Sequence, residues 1–297
     1  MRETLEQIFG PIRELEHHPY AYRTSFPLEE IRVLLEDGRE VSVIVKSLAR
    51  DGLDEHARLA KPEFLHDPMR ELVVYTEILA GPDLGTARCY GSVAPPEADR
   101  YLLFLEKVDG VELWQIGELD TWEAAARWAA GLHAEVKPAS SSHLIRYEAD
   151  FLRSWIDRAV EFADGPELRR VSARYDTVVE RLAALPPVFV HGELYASNVL
   201  VGPGLRICPV DWEMAGIGPG VLDLAALVSA WGDEEAARLT RAYQDALPGT
   251  FEPGDLDCAR LHLAVQWLGW SRDWTPPREH ATDWLAEAVA AADRLGL

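Results

Sequence analysis

Alternating apolar and polar positions predict two strands early in the chain. Residues 29–36 and 40–48 are rich in aliphatic and β-branched side chains, and Asp37-Gly38 lies between them. An Asp-Gly pair between two such runs is typical of a β-hairpin. In the second strand three valines would share one face of the sheet, namely Val41, Val43 and Val45. Lys46 would therefore point to the opposite face.

Helical spacing replaces this alternation after the hairpin. Residues 68–80 carry apolar side chains three or four positions apart and are followed by Gly81-Pro82, a pair that is typical of a helix end. Two more short strands are predicted over residues 87–93 and 101–106. The pattern up to this point indicates a small sheet with one helix.

The second part of the chain is predominantly helical. Helical periodicity prevails from about residue 121, and the predicted helices in the last third of the chain cover residues 221–231, 233–246, 256–271 and 282–295. The complete pattern predicts an α+β fold of two lobes. We place a small antiparallel-sheet lobe at residues 1–106 and a larger helical lobe at residues 107–297.

One short β-rich stretch interrupts the predicted helices and carries polar side chains. A strand at 188–190 leads into a loop with Glu193 and Asn198, and a tight hairpin then returns the chain to Asp211. Amide and carboxylate oxygens suit a hard cation such as Mg²⁺. A further carboxylate could orient or deprotonate a hydroxyl group. Together with Lys46 from the other lobe, these groups predict phosphoryl transfer from ATP.

Composition and charge narrow the classes of partner. The 297 residues are 48% hydrophobic and 27% charged, which is typical of a folded protein that can bury a large core. A net charge of −21 argues against nucleic acid and anionic membranes as partners. No apolar run approaches the roughly 20 residues of a membrane helix, and acidic residues stand where a signal peptide would be apolar. Three widely spaced cysteines argue against a disulfide framework. We expect a cytoplasmic protein.

Six short motifs stand in a fixed order along the chain. They are Arg70-Glu71 with Tyr75, Phe104-Leu105-Glu106, Leu132-His133-Ala134, His191-Gly192-Glu193 with Asn198, Val210-Asp211-Trp212-Glu213, and Gly218-Pro219-Gly220-Val221-Leu222-Asp223-Leu224-Ala225. This ordered set resembles the aminoglycoside phosphotransferase and choline kinase group of kinase-like enzymes. The resemblance implies a two-lobed protein-kinase-like fold and a small-molecule O-phosphotransferase that uses ATP or GTP with Mg²⁺.

The resemblance implies a nucleotide site between the lobes. Lys46 would bind the α- and β-phosphates and pair with Glu71. The adenine would meet backbone groups of three consecutive residues, Glu106, Lys107 and Val108. On the residues alone, the favoured interpretation is that Lys46 is a solubilising residue at a strand edge and that Glu71 is an ordinary acid on a helix surface.

The resemblance also implies the chemical groups of the second lobe. Glu193 would orient the acceptor hydroxyl, and Asn198 and Asp211 would hold Mg²⁺. Asp223 would brace the catalytic loop, residues 191–198, without touching substrate. Asp211 is hard to explain structurally, because it ends an apolar strand and an unpaired buried carboxylate is costly.

Two departures from the family pattern bear on activity. Position 193 is Glu where the motif has Asp, which displaces the carboxylate by about 1 Å and can cost about a hundredfold in rate. The phosphate-covering loop, expected at residues 17–27, contains no glycine. Thr24 and Ser25 could contact phosphate there, or the stretch could simply be a turn. The alternative function is therefore a catalytically impaired pseudokinase that binds nucleotide or acts as a scaffold.

The acceptor is expected to be a hydroxylated and cationic small molecule that binds against the helical lobe. The acidic candidates for its contacts are Glu213, Asp233, Glu234 and Asp273, and the aromatic candidates are Trp231, Trp267, Trp270 and Trp274. Aromatic faces can hold an amine by cation–π attraction. The alternative is that these tryptophans pack the C-terminal helices together.

Overall fold

The N-terminal part of the chain is a five-stranded antiparallel sheet. The computed structural model describes the whole chain except residues 21–25, 54–57, 59, 96–99, 139, 164, 271 and 273–281. The strands are β1 (Ile12–Pro19), β2 (Leu28–Leu35), β3 (Glu40–Ser47), β4 (Cys89–Val93) and β5 (Leu102–Glu106), in the spatial order β1-β2-β3-β5-β4. The predicted hairpin is confirmed, because β2 and β3 pair across the turn at Asp37-Gly38.

Two N-terminal elements have no counterpart in the sequence prediction. Helix α1 (Arg2–Phe9) precedes β1, and β1 pairs along its length with β2. Most side chains of β1 are exposed or half-buried, so the strand lacks the strong apolar alternation that marks its neighbours. His17 and His18 belong to this strand, which corrects the expectation that they form part of the phosphate-covering loop. Thr24 and Ser25 lie outside the described residues.

Helix α2 (Pro68–Val73) lies between β3 and β4 and continues into a π-helical turn (Val74–Ile78). The Asp67 side chain accepts a hydrogen bond from the Met69 N–H at 2.9 Å and so caps the first turn. Pro68 occupies the first helical position, where its missing N–H costs nothing. The predicted helix at 68–80 is thereby confirmed within two residues, although its last turn is wider than that of an α-helix.

The C-terminal part is helical, as predicted. Its helices are α3 (Leu119–Glu135), α4 (Ala149–Ala163), α5 (Pro166–Ser172), α6 (Tyr175–Ala183), α7 (Val221–Val228), α8 (Asp233–Ala246), α9 (Pro253–Leu268) and α10 (Trp284–Leu295). Their apolar faces meet around Trp155 and Tyr175, which are fully buried. Within the described ranges, the helices are too short or too polar to cross a membrane.

Two small sheets interrupt the helices and position the loops of the candidate site. They comprise β6 (Val111–Glu112), β7 (Ile145–Arg146), β8 (Pro187–Val190), β9 (Val199–Gly202), β10 (Arg206–Pro209) and β11 (Gly216–Pro219), in the orders β10-β9-β6 and β7-β11-β8. The β9–β10 hairpin pairs Val199 with Pro209, and the Val210 N–H donates to the Asn198 carbonyl at 2.8 Å. This register brings Asp211 back beside Asn198, as the hairpin predicted.

A hydrophobic cluster connects the N-terminal sheet to the C-terminal part. Ile44 and Leu103 from the sheet share this cluster with Leu132, Phe189 and Trp212. The α+β architecture is therefore confirmed, with the candidate cleft lined by both parts. The division between residues 106 and 107 stays a prediction, because the apolar packing runs across it.

Candidate functional site

Lys46 lies at the centre of the candidate site and joins the two parts of the chain. Its Nζ is 2.7 Å from Oε2 of Glu71 on α2 and 2.6 Å from Oδ1 of Asp211 after β10. The Lys46 side chain is only 4% exposed, so both contacts lie away from bulk water. The solubilising role that the sequence left open for Lys46 does not fit this position, nor does a surface role for Glu71.

The three buried charges affect each other's ionisation. Burial lowers the pKa of Lys46, but attraction by Asp211 and Glu71 outweighs it and raises the pKa above its ordinary value. Burial raises the pKa of Glu71 to about 7, against the attraction of Lys46. Burial acts in the same direction on Asp211, yet Lys46 holds the pKa of that carboxyl below its usual range. Of the two carboxylates that contact Lys46, Asp211 is therefore the one that stays ionised at neutral pH.

Asp211 and Asn198 form the candidate metal site. Asp211 has a φ of 67°, an uncommon conformation for a residue with a side chain, and the buried Trp212 beside it stacks on Phe189. The Asn198 Nδ2 donates to the Glu193 carbonyl at 3.0 Å, which orients the amide. Among the described residues, no three His, Cys, Asp or Glu side chains form a ready-made metal cluster. One carboxylate and one amide still fit Mg²⁺, which commonly completes its shell with phosphates and water.

Glu193 is half-buried at the start of the catalytic loop. Burial raises its pKa to about 8, and the negative charges of Glu213 and Asp211 add to the shift. Lys61 and Lys46 act in the opposite direction. The carboxyl predicted to orient the acceptor hydroxyl therefore titrates near neutral pH.

Asp223 on α7 fixes the backbone of the catalytic loop. Its two carboxylate oxygens accept hydrogen bonds from the N–H groups of His191 at 2.7 Å and Gly192 at 2.8 Å. The His133 ring also lies 3.1 Å from Asp223, and its other nitrogen lies 2.7 Å from the hydroxyl of Tyr243. Asp223 is fully buried and therefore acts through the loop, as the bracing role predicts.

Gly192 lies where the catalytic loop passes close to a neighbouring backbone. Its φ is +85°, and a Cβ there would overlap the carbonyl oxygen of Met214 and the hydroxyl of Tyr147. That hydroxyl donates to the Met214 carbonyl at 2.7 Å, so the space is already filled. Glycine is thus required by both conformation and packing.

Lys61 is a site residue that sequence reasoning missed. It pairs with Glu213 in the interior of the protein, and only 8% of each residue is exposed. Arg70 donates from Nη1 to the carbonyl oxygens of Glu213 at 2.5 Å and Leu65 at 2.8 Å. Lys61 lies in a polar connection without periodicity, so no pattern in the sequence singles it out.

The residues predicted to meet adenine lie at the end of β5 and directly after it. The N–H groups of Glu106 and Lys107 donate to the carbonyls of Arg88 at 2.8 Å and Ser42 at 3.4 Å. The Glu106 carboxylate is held by both terminal nitrogens of Arg206, at 2.6 and 2.9 Å. These contacts fix the segment before Val108, which is itself buried.

The acceptor candidates are spread over several places. Glu213 lies in the cleft, but Asp233 is 89% exposed at the start of α8 and lies 3.9 Å from Arg260. Trp270 follows α9 and stacks on Trp155, with ring centroids 5.7 Å apart and an interplanar angle of 2°. This contact is the helix packing that the sequence offered as the alternative for the tryptophans. Asp273 and Trp274 lie outside the described residues.

An aromatic group does reach the catalytic loop. Trp267 Nε1 donates to the hydroxyl of Tyr195, two residues beyond Glu193, at 2.7 Å. Trp267 also stacks on Trp284, with centroids 5.4 Å apart and an interplanar angle of 8°. Trp267 was among the candidates from the sequence, whereas Tyr195 and Trp284 were not.

Solved structures with the same fold include kinases of small molecules. The choline kinase LicA from Streptococcus pneumoniae is 14% identical, with a TM-score of 0.62 over 99% of this chain and 97% of that one. A choline/ethanolamine kinase family protein from Mesorhizobium loti is 16% identical, with a TM-score of 0.59 over 99% and 92%. At these identities the similarity shows the fold, and the predicted kinase-like architecture is confirmed.

An aminoglycoside phosphotransferase provides a similar structural match. APH(3'')-Id from Streptomyces rimosus, solved in complex with ADP and streptomycin, is 20% identical, with a TM-score of 0.57 over 90% of this chain and 96% of that one. The sequence itself matches the model of the phosphotransferase enzyme family over residues 44–262, a span that contains Lys46, Glu71, the catalytic loop and Asp211. The chain therefore belongs to the phosphotransferase enzyme family.

Proposed function

We propose that this chain transfers the γ-phosphoryl group of ATP or GTP, with Mg²⁺, to a hydroxyl group of a cationic small molecule. Family membership supports the reaction class. The observation that carries the proposal is the double pairing of Lys46 with Glu71 at 2.7 Å and Asp211 at 2.6 Å. Phosphoryl transfer depends on positioned charge more than on covalent chemistry, and this arrangement supplies it.

The nucleotide would lie between the two parts of the chain. Glu71 holds Lys46 so that its ammonium group can donate to the α- and β-phosphates. Because the N–H groups of Glu106 and Lys107 are already engaged, a backbone N–H contact with adenine falls to Val108. Asn198 and Asp211 would hold Mg²⁺ through oxygen atoms. When bound, Mg²⁺ neutralises charge on the phosphate oxygens.

Glu193 would act on the acceptor. Its carboxylate accepts the proton of the acceptor hydroxyl while the acceptor oxygen bonds to the γ-phosphorus. The bond from this phosphorus to the β–γ bridging oxygen breaks, and the nucleoside diphosphate leaves. A base is most effective when its pKa lies near the working pH. Because burial raises the pKa of Glu193 to about 8, its carboxylate would act as the base at slightly alkaline pH.

A cationic acceptor fits the surroundings of Glu193. The carboxylates of Glu213 and Asp211 lie within electrostatic reach of Glu193, and Tyr195 leads to the stacked rings of Trp267 and Trp284. Asp211 and Glu213 are each paired with a lysine, so the ionised carboxylate of Glu193 would attract the amine by charge, and the aromatic faces would attract it by cation–π interaction. The structural relative from Streptomyces rimosus was solved with streptomycin, which is consistent with an acceptor of this class.

The second candidate is a nucleotide-binding pseudokinase. The observation that favours it is the environment of Glu193, because a carboxyl with a pKa of about 8 is largely protonated at pH 7 and then cannot accept a proton. The longer side chain also departs from the Asp of the family motif. Both features act against catalysis and leave nucleotide binding through Lys46 and Asp211 intact.

The deciding experiment measures product formation with defined acceptors. The purified chain would be incubated with Mg²⁺ and ATP or GTP in the presence of choline, ethanolamine or streptomycin. Acceptor-dependent release of nucleoside diphosphate, with the phosphorylated acceptor detected by mass spectrometry, supports the phosphotransferase. Nucleotide binding without turnover of any acceptor, unchanged in Glu193→Asp, would favour the pseudokinase.

A further inference from the structure

We propose that Lys61 is a second phosphate-binding lysine, which contacts the γ-phosphoryl group and makes the site distinguish a nucleoside triphosphate from a diphosphate. The inference rests on the proposed function and adds a residue to it. The observation behind it is that Lys61 and Lys46 resemble each other in three ways. Both are buried, both pair with a carboxylate, and both lie beside the same aromatic ring.

The two lysines occupy matching environments. Their side chains are 4% exposed for Lys46 and 5% for Lys61. Both ammonium groups lie over the ring of Phe26, with Nζ 5.7 Å from the ring centroid for Lys46 and 5.3 Å for Lys61. A buried lysine loses favourable hydration and needs anionic partners in compensation. The environment that suits Lys46 to phosphate is thus repeated at Lys61.

Each lysine pairs with one carboxylate of the segment that follows β10. Lys46 contacts Asp211, and Lys61 contacts Glu213 two positions later. The Glu213 backbone is held by Arg70, so the partner of Lys61 is fixed in place. An ammonium group has three N–H donors, so a lysine that pairs with one carboxylate can also donate to a phosphate oxygen.

Lys61 lies on the side of the cleft where transfer would occur. Its partner Glu213 stands two positions after Asp211, whose carboxylate contacts Lys46, so both lysines meet the same short segment after β10. A phosphoryl group that approaches Glu193 also approaches Glu213 and Asp211, which repel it. Lys61 supplies attraction at that point, whereas Lys46 is shared between Glu71 and Asp211.

The connection that carries Lys61 is anchored to the C-terminal part. Leu65 is 1% exposed within the main core of the helices. Phe64 packs edge-on against Phe151 with ring centroids 6.5 Å apart, and Arg158 lies 5.4 Å from the Phe64 ring. Lys61 is therefore positioned before nucleotide binds, which reduces the entropy lost on contact with phosphate.

The test compares ATP and ADP affinities by calorimetry in the presence of Mg²⁺. We expect Lys61→Met to weaken ATP binding by about 10- to 100-fold, as for the loss of a hydrogen bond between charged groups, with little change for ADP. Lys137→Met removes the same charge from an exposed position and should leave both affinities unchanged. Equal weakening of ATP and ADP in Lys61→Met, or none, would overturn the proposal.

A second pair of variants excludes an indirect effect through Glu213. Lys61→Met removes the buried ion pair with Glu213 and could unfold the chain, so the same measurement is made in Glu213→Gln and in the double variant. If Lys61 contacts phosphate, adding Lys61→Met to Glu213→Gln still lowers the preference for ATP over ADP about 10- to 100-fold. An unchanged preference would mean that Lys61 only balances Glu213. If the unaltered chain binds neither nucleotide, the proposed function itself is wrong.

Discussion

Lys46 and Asp211 are 165 positions apart in the sequence, yet Nζ and Oδ1 lie 2.6 Å apart across the cleft. The contact joins β3 of the N-terminal sheet to the end of the β9–β10 hairpin. It keeps Asp211 ionised and holds the Lys46 ammonium group beside the proposed site of the nucleotide phosphates. Both the proposed chemistry and the first prediction depend on this contact.

Asp211→Asn should abolish most turnover. The substitution keeps the size of the side chain but removes the charge that would hold Mg²⁺, and a metal ion contributes several kcal/mol to transition-state stabilisation. We expect a fall in diphosphate release of about a thousandfold or more. Asp150→Asn, at a fully exposed carboxylate on α4, is the matched control and should retain full activity. Retained turnover in Asp211→Asn would show that the metal assignment is wrong.

Glu193→Gln should remove the base and leave nucleotide binding intact. General-base catalysis contributes about 10²- to 10⁴-fold, so kcat should fall by that factor while the affinity for ATP stays close to that of the unaltered chain. Glu193→Asp keeps a carboxylate and should remain more active than Glu193→Gln. Steady-state kinetics with calorimetry would check both variants, and equal rates in the Gln and Asp variants would contradict the role of Glu193.

Gly192→Ala should destabilise the fold and disrupt the catalytic loop. The new Cβ would overlap the Met214 carbonyl and the Tyr147 hydroxyl at a positive φ, and the expected loss is about 2–4 kcal/mol. Gly131→Ala is the control, because this position lies inside α3 with open space around it. There alanine should stabilise the helix by about 0.5–1 kcal/mol. Urea unfolding measures both, and a neutral Gly192→Ala would contradict the packing argument.

Acid should destabilise the chain through His262 on α9. Burial lowers the pKa of His262 to about 3, from 6.5 in an exposed histidine. Between these values the unfolded chain binds a proton that the folded chain excludes, so the stability present above pH 6.5 is lost as the pH falls. The loss at pH 5 is about 2 kcal/mol.

The surroundings of His262 explain why the folded chain does not bind this proton. Nδ1 of His262 lies 2.7 Å from the Tyr175 hydroxyl, and within the described part of the chain the buried Nε2 has no hydrogen-bond partner. A proton on both nitrogens would place a positive charge in the interior, where burial removes its hydration and Nε2 offers it no hydrogen-bond partner among the described residues. Urea unfolding at pH 7 and pH 5 should show the loss in the unaltered chain and a smaller one in His262→Gln. If the unaltered chain and His262→Gln lost the same free energy of unfolding between pH 7 and pH 5, His262 would not be the cause.

The architecture of the chain could largely be predicted from local patterns. The β2–β3 hairpin follows from Asp37-Gly38 between apolar runs, and the helices from 3.6-residue spacing, because both are set by neighbours along the chain. Helix α1 and strand β1 were missed because few of their side chains are buried. The return of Asp211 beside Asn198 was predictable, since a tight hairpin fixes its own register.

The sequence by itself determined the two-part architecture and predicted the motif residues of the site, namely Lys46, Glu71, Glu193, Asn198 and Asp211. Only the tertiary structure decided which of these side chains are ionised at neutral pH. It also revealed Lys61, whose partner Glu213 is 152 positions away in the sequence. It also separated Trp267, which contacts Tyr195 of the catalytic loop, from Trp270, which packs on α4. The physical reason is that the pairing and burial of charged groups depend on residues that meet only after folding. Turns and helical periodicity, by contrast, depend on residues that are close together in the sequence.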